Sequence, residues 1–538
     1  MQSHSQSSTV SASDVAALPP EKVAKRLNDL TTEIGALRHQ LEWFKRQIFG
    51  EKSERRLEIP DASQPYLGEE FATKPDRKEA KKTHIKAHDR VTKPKEADDD
   101  DSSMFFDEDK VPVETIYVDP VTTTGLKPDE FEVISEKVTY RLAQRPGSYV
   151  VTKFVRPVIK MRDSGKLVSM AAPRNVINGS RADVSLQAGV LVDKFAYHQP
   201  LYRQHRKLTD SGFRVSRQWL TQLMKKTIDL LTPIYDAQFN SILLSRVKAM
   251  DETPIKAGVA SPGKMKAAYF WPIYGEQDEI CFKFYPDRAG KNVEDALGLS
   301  PPSDGVLLTD GYTVYERYAK KVGLTHAQCW AHTRRKFFDS QYIEPERAKE
   351  ALELIGAIYE VEREVLEQGL KGQAKKDHRQ GKAAPAVAAF FAWVKKQFDS
   401  QGFLPSSPLT KALSYAHERR EGLEVFLTDP DVPVDTNHLE RALRAIPMGR
   451  KNWLFCWTET GAEDVGIAQS LLVTCRLHNV DPYDYFVDVL QRVKDHPPLQ
   501  MDELTPRRWK QLFASNPKRS PLHLIDEMRK KPLNQPDG

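Results

Sequence analysis

Arg246-Val247-Lys248-Ala249-Met250-Asp251-Glu252-Thr253-Pro254 opens the block that decides the fold. A short run of strand character leads straight into two acids, and Pro254 then turns the chain. Two apolar and aromatic runs follow, Ala268-Tyr269-Phe270-Trp271-Pro272-Ile273-Tyr274 and Ile280-Cys281-Phe282-Lys283-Phe284-Tyr285. Next come a helical stretch over 292–299, a strand Gly305-Val306-Leu307-Leu308 that runs into Thr309-Asp310-Gly311-Tyr312, a helix over 315–321, and a last strand around Ala327-Gln328-Cys329-Trp330. Asp251 and Asp310 therefore stand at the C-terminal ends of strands, where open α/β sheets carry their ligand sites.

Three strands, a helix, a strand, a helix and a strand is the element order of a ribonuclease H-like domain. Residues 335–430 then read as almost wholly helical, clearest over 351–370 and 386–398, with a basic loop at 372–385, and look like an insertion. Beyond it, Asp435-Thr436-Asn437-His438-Leu439-Glu440-Arg441-Ala442-Leu443-Arg444 reads as a helix capped near Asp435 or Asn437. Leu439, Leu443 and Ile446 form its buried stripe, Glu440 and Arg444 share the flank, and Pro447 closes it. Arg450 and Lys451 follow at once.

The 538 residues exceed what one core organises, and the 40% hydrophobic and 29% charged composition suits a soluble multi-domain protein. No apolar run reaches the roughly 18 residues of a membrane span, and the Ser-rich start lacks a signal core, so a cytoplasmic (bacterial, nucleoid-associated) protein is expected. Cys281, Cys329, Cys456 and Cys475 are scattered without close pairing, which argues against a disulfide framework and fits a reducing compartment. The net charge of +5 matters less than its clustering.

Upstream, a polar leader (1–19) precedes a heptad seam in 20–55, where Val23, Leu27, Leu30, Ile34, Leu37, Leu41, Phe44 and Ile48 alternate steps of four and three. It reads as a coiled coil for self-association; the bland alternative is one amphipathic helix packed on its own domain. Residues 56–112 form a charged linker. Residues 113–180 alternate like a small antiparallel β module. Residues 181–240 are helical around a turn at Asp210-Ser211-Gly212, with Ser216 an N-cap of the second helix, and resemble a helix-turn-helix. Arg214, Arg217 and Gln218 would meet base edges there and Lys225 and Lys226 phosphates; a plain helical hairpin with solvated bases is the alternative. The α/β core begins over 241–334, resumes with the glutamate helix and basic strip over 431–456, and gives way to C-terminal helices and a polar tail over 457–538.

Each acid alone has an ordinary explanation as a turn residue or a helix-surface ion pair. Taken together, Asp251, Asp310 and Glu440 form a set of hard oxygen donors from separate elements, suited to Mg²⁺ or Mn²⁺ and to a pair of ions acting on a phosphodiester. Arg334, Arg335, Lys336, Arg441, Arg444, Arg450 and Lys451 around them suit a polyanion such as double-stranded DNA, and Trp453 and Phe455 either stack a base or pack in the core. Cys329 and His332 have CxxH spacing, but no second Cys/His pair lies nearby, so Cys329 is read as core and no zinc is expected.

The motifs Asp251-Glu252-Thr253-Pro254, Asp310-Gly311-Tyr312, Cys329-Trp330-Ala331-His332-Thr333-Arg334-Arg335-Lys336-Phe337, the run from Asn437 to Arg441 and Gly449-Arg450-Lys451-Asn452-Trp453-Leu454-Phe455 resemble those of the insertion-sequence transposases of the IS66 family. The resemblance extends to the zipper ending in Gly50-Glu51-Lys52-Ser53-Glu54-Arg55 and to Pro200-Leu201-Tyr202-Arg203-Gln204. It implies a DDE transposase acting on element ends and target DNA, with Asp251, Asp310 and Glu440 at the catalytic positions and small accessory proteins of the same element as further partners. A nuclease that cuts without joining and a non-catalytic DNA-binding descendant are the rival readings. The chain departs from the family in having no cysteine in 113–180, where many members carry a zinc module, and in reading Asp435-Thr436-Asn437 where Asp-Asn-Asn is usual. Deleting residues 20–55 is expected to lower the oligomeric order in light scattering; an unchanged mass would refute the coiled-coil reading.

Overall fold

The computed structural model describes residues 105–523, apart from 108, 110, 118–130, 146, 170–172, 262–263, 401–405 and 454–457. The expectations for the leader, the coiled-coil helix and nearly all of the linker, and those for Phe455 and Cys456, lie outside the described residues. The rest is a mixed α/β chain, and none of its described helices is long and apolar enough to cross a membrane.

Strands β1 (Val113–Tyr117), β2 (Phe131–Arg145), β3 (Ser148–Met161) and β4 (Leu167–Ser169) form a four-stranded sheet. β2 and β4 are antiparallel to β3, but β1 runs parallel to it, which corrects the expected all-antiparallel module. Alternation reports which face is buried and says nothing about strand direction. Backbone bonds tie this sheet to the helical region after it: Leu142 N–H donates to Arg181 O, Asp183 N–H donates back to Leu142 O, and Phe106 bridges to Phe213.

Helix α1 (Val184–Phe195), capped by Asp183, is buried almost all round. Helices α2 (Leu201–Asp210) and α3 (Arg217–Leu244) flank the expected turn, and Ser216 Oγ accepts from Trp219 N–H at 3.1 Å as the N-cap. However, α3 runs for 28 residues with buried Tyr235, Gln238 and Ile242 in its second half, so its far end belongs to the α/β core.

That core contains β5 (Val247–Met250), β6 (Thr253–Ser261), β7 (Lys264–Gly275), β8 (Glu279–Tyr285), α4 (Lys291–Leu297), β9 (Val306–Thr309), α5 (Thr313–Val322) and β10 (Thr325–Gln328). β8, β7, β5, β9 and β10 lie side by side in that order, with β7 antiparallel to β8 and β5, and with β5, β9 and β10 parallel. β6 takes over from β5 along β7, Met250 facing Ile273 and Thr253 facing Phe270. The sequence reading expects three strands before the first helix and a turn at Pro254, so β6 is a fourth strand that it lacks. Here Pro254 sits inside an edge strand, where a missing N–H costs no ladder bond. Val247, Ala249, Val306 and Leu308 face one core, and Met250 and Leu307 the other, which also holds Trp271, Val293 and Tyr315. Burial on both faces is why these strands read as continuous apolar runs.

The insertion contains α6 (Trp330–Ser340), α7 (Pro345–Glu367), α8 (Gly372–His378), a π-helical turn (Arg379–Ala383), α9 (Ala384–Asp399), α10 (Pro408–Glu418) and α11 (Arg420–Thr428). Two expectations are corrected: Trp330 starts a helix instead of ending a strand, and 372–385 is helical instead of a basic loop. The basic character misled because its central cation points inward. Arg379 is fully buried, forks onto Glu362 with both bonds at 2.7 Å, and donates to the carbonyls of Phe426, Asp429 and Val432 at the end of α11.

α12 (Asn437–Leu443) and α13 (Ala445–Gly449) follow, then α14 (Glu459–Leu477), α15 (Pro482–Arg492), a 3₁₀ turn (Pro498–Leu504) and α16 (Pro506–Leu512). Pro447 does not close the glutamate helix. The break falls at Arg444, and Pro447 lies in the opening turn of α13, where its missing N–H is harmless. α14 covers the free edge of β8: Ser470 Oγ accepts from Phe282 N–H at 2.9 Å and Thr474 Oγ1 from Ile280 N–H at 3.3 Å. Gly466, one turn earlier, faces Phe282 O so closely that a Cβ would collide with it. The terminal segment also has a buried Trp509 and an Arg507–Glu279 bond of 3.0 Å, so up to α16 it is part of the fold and not a polar tail.

Arg379→Met is expected to cost about 3–5 kcal/mol, because it leaves Glu362 and three carbonyls unpartnered. Urea unfolding should show it, with part of the loss recovered when Glu362→Leu is added; a loss below about 1 kcal/mol would contradict the clamp.

Candidate active site

The strand ends deliver the acids as their positions predict. Asp251 follows β5, with its Oδ1 accepting from Glu252 N–H at 2.7 Å, and Asp310 follows β9, with its Oδ1 accepting from Tyr312 N–H at 2.9 Å. Both carboxylates thus hold their own turns. Burial, and after it the negative charges of Glu252, Asp310 and Glu440, push the Asp251 carboxyl up to about 7. Asp251 thus feels acids carried on β9 and α12 as well as its own neighbour Glu252.

Glu440 reaches the cluster because the chain leaving the insertion is pinned beside β10. Trp330 N–H donates to Val434 O at 3.1 Å, and the Thr436 N–H and hydroxyl both donate to Cys329 Sγ, at 3.3 and 3.2 Å. Asp435 accepts from Tyr359 OH at 2.9 Å and from Asn437 N–H at 3.0 Å. The cap expected near Asp435 or Asn437 is therefore an Asp435 turn, and the Thr436 side chain is spent on Cys329 instead. Cys329 is core, as read, its thiol pushed up to about 11 by burial. His332 Nε2 stands 3.8 Å from Glu440 Oε1. Among the described residues no trio of His, Cys, Asp or Glu side chains is already drawn in tightly enough to cage an ion.

Residues that sequence reasoning passed over complete the surround. Glu252, its side chain only 4% exposed, accepts from Tyr315 OH at 2.5 Å and pairs with Arg288, whose guanidinium lies 4.1 Å from the Tyr312 ring centre. From the insertion, Arg419 donates to Gly311 O at 3.2 Å and stacks on Tyr415 at 4.1 Å. A Cβ at Gly311 would collide with both side chains. The adjacency of Glu252 to Asp251 was a signal in hand; the reach of Arg419 across the insertion left none.

The cations divide into two groups. Arg334, Arg335 and Lys336 are exposed on α6, and Arg441, Arg444, Arg450 and Lys451 are exposed along and after α12, with Arg450 donating to Pro254 O at 3.0 Å. On α3 and the turn before it, Arg214, Arg217, Gln218 and Lys226 are exposed, Arg217 over the Tyr202 ring at 4.6 Å. Two expectations give way. Lys225 is engaged by Asp229 at 2.5 Å and Asp464 at 3.0 Å, joining α3 to α14. Trp453 is fully buried, edge-on to Phe195, with its indole N–H donating to His198 at 3.1 Å, so it packs the core and stacks no base.

Comparison with known proteins identifies a family. Residues 179–464 match the family model described as Transposase IS66 family, and residues 470–507 match the IS66 C-terminal element. Two Sinorhizobium fredii (strain NBRC 101917 / NGR234) proteins are similar over long stretches. Uncharacterized protein y4hP is 27% identical over 90% of each chain. Uncharacterized protein y4qI is 31% identical over 73% of this chain and 74% of its own. The strand-end aspartates and the helix-borne glutamate fall within the first matched segment and most of the C-terminal helical region within the second, and the chain belongs to the IS66 family of transposases.

Proposed function

We propose that this transposase is a DDE enzyme that binds the ends of an insertion sequence, cleaves a strand to free a 3′-hydroxyl, and joins that hydroxyl to target DNA. The carrying observation is the placement of Asp251 and Asp310 at the C-terminal ends of the adjacent parallel strands β5 and β9, with Glu440 carried on α12 after the insertion. The sheet order β8-β7-β5-β9-β10, with its antiparallel and parallel halves, supports a ribonuclease H-like core for the site. The donor set fits Mg²⁺ or Mn²⁺: hard carboxylate oxygens, mutually repelling, with no lysine or arginine among the partners described for Asp251 and Asp310. Asp251, Asp310 and Glu440 would hold one or two such ions, which supply a lowered pKa for the attacking oxygen and charge stabilisation for the leaving one.

The chain's own residues do the rest. Arg334, Arg335, Lys336, Arg441, Arg444, Arg450 and Lys451 would grip the phosphates either side of the reacting bond, offsetting the repulsion between a polyanion and the acid cluster. Arg214, Arg217, Gln218 and Lys226 would read or grip the element end. The partners proposed are double-stranded DNA, further copies of this chain joined through residues 20–55, and accessory proteins of the same element.

Asp251→Ala, Asp310→Ala and Glu440→Ala are each expected to reduce Mg²⁺-dependent strand transfer from pre-cleaved ends by more than about a hundredfold, with end binding in gel shift retained. A variant with near-parental joining would remove that residue from the site, and a parent that nicks ends without joining would move the enzyme to the nucleases.

Ionisation gives a separate check. The Asp251 carboxyl at about 7 lies above its unfolded value of about 3.9. The unfolded chain therefore loses this proton first, and stability falls as pH rises from about 4 through about 7. In chelator at pH 8, Asp251→Asn is expected to melt about 2–4 °C above the parent, with the gap closing near pH 4. Adding Mg²⁺ should stabilise the parent and not the variant. An Asn variant less stable than the parent at pH 8 in chelator would overturn the repulsion argument.

A further inference from the structure

Glu252 stands next to Asp251 and faces the same cluster, yet its bonds set it apart from the other acids. One carboxylate oxygen is held by the Tyr315 hydroxyl, and the other by the Arg288 guanidinium. Tyr315 is fully buried on α5, the helix that starts just past Asp310. Arg288 comes from the segment between β8 and α4, rests on the Tyr312 ring, and accepts the Tyr312 hydroxyl at its backbone carbonyl, 3.2 Å away. Tyr312 in turn gives its N–H to Asp310. A connected path therefore runs from Asp251 through Glu252, Tyr315 or Arg288, and Tyr312 to Asp310. The two aspartates sit on separate strand ends, and these side-chain bonds brace their turns beyond the strand ladder itself.

We propose that Glu252 is the positioning residue of the site: not an ion ligand, but the brace that fixes the Asp251 turn against the Asp310 turn through Tyr315 and Arg288. This deepens the reading of Asp251, Asp310 and Glu440 as the ion-binding acids and rests on it. Both Glu252 oxygens are already engaged within the protein, one by Tyr315 and one by Arg288, so an ion ligated there would have to share or displace those bonds. A brace instead acts through the geometry of the residues it holds, as outer-shell partners of metal ligands do, with losses of about 10–100-fold in ion affinity when they are removed. Arg288 and Tyr315 also give both oxygens of this nearly buried side chain a partner beside the two aspartates.

The test uses the full-length chain without DNA and follows Mn²⁺ binding by the loss of the free-ion paramagnetic signal. Tyr315→Phe deletes only the hydroxyl, Glu252→Ala deletes the brace, and the double variant closes the cycle. The expected result is about tenfold weaker Mn²⁺ binding in each single variant, with the double variant little worse than Glu252→Ala because all three break one connection. The Mg²⁺ half-saturation of strand transfer should shift in the same direction, with end binding unchanged. If Glu252→Ala fails to fold, Tyr315→Phe alone carries the test. Unchanged Mn²⁺ affinity in Tyr315→Phe would overturn the proposal, and so would a loss confined to Glu252→Ala, which would make Glu252 a ligand. Parental Mn²⁺ affinity in Asp251→Ala would instead overturn the underlying site.

Discussion

The position of Glu440 depends on a short stretch of backbone docked beside β10. Sequence places roughly a hundred residues between the last strand and the glutamate, and such a span gives no fixed geometry by itself. The docking supplies it. Val434 O receives Trp330 N–H, Thr436 reaches Cys329 with both its N–H and its hydroxyl, and Asp435 is held by Tyr359 from the insertion. Trp330 donates its indole N–H to Leu423 O at 2.9 Å, so one residue pins both the end of the insertion and the return of the chain. The departure from the family pattern at Thr436 thus falls on a buried contact with the core and leaves the glutamate's own helix backbone intact, Glu440 N–H donating to Thr436 O at 2.9 Å.

The helical insertion is accordingly part of the site's frame. Arg379 holds the C-terminal end of α11 from inside, and Arg246, just before β5, forks onto Asp429 at 2.6 and 3.0 Å and reaches Asp431 at 2.9 Å. The sheet and the insertion therefore share an ionic seam at the N-terminal end of β5 and the Arg419–Gly311 contact at the C-terminal end of β9. On the opposite edge, α14 replaces the missing neighbour strand of β8 with Ser470 and Thr474 and brings Gly466 close to it. An exposed edge is a liability for aggregation, and a stripe of small and hydroxylated residues on one helix face removes it. This is why the separately matched C-terminal element and the α/β core are one packed structure.

Strand-end aspartates, the glutamate helix and most of the strands are legible because burial writes itself into composition: runs such as Val306-Leu307-Leu308 leave few alternatives. The errors share a physical origin too. Pro254, Pro447 and the basic run at 372–385 were taken at their average behaviour, while an edge position, a helix start and a buried ion pair reversed it. Trp453 looked available beside Arg450 and Lys451, yet Gly449 opens the space in which its indole packs, since a Cβ there would strike the ring. Glu252 was hidden by its neighbour. The pairing that defines it comes from Arg288 and Tyr315, residues 36 and 63 positions away, and no local pattern announces such partners.

Burial also sorts the charges of the site. Asp251 and Glu252 lie mostly inside, where water screens little and each carboxylate feels its neighbours. The arginines and lysines on α6 and along and after α12 lie outside, where each contributes little alone but a row attracts a polyanion from a distance. These two environments respond to different ligands. A phosphate backbone can satisfy the outer cations at once, whereas the inner acids gain nothing from an anion and repel it. A proton or a cation entering among them relieves their mutual repulsion, and Asp251 gains from it because burial and its acidic neighbours disfavour its anion. In the proposed reading, this couples the two bindings: an ion seated among the acids turns the one repulsive patch beneath the DNA into an attractive one, so each ligand improves the site for the other.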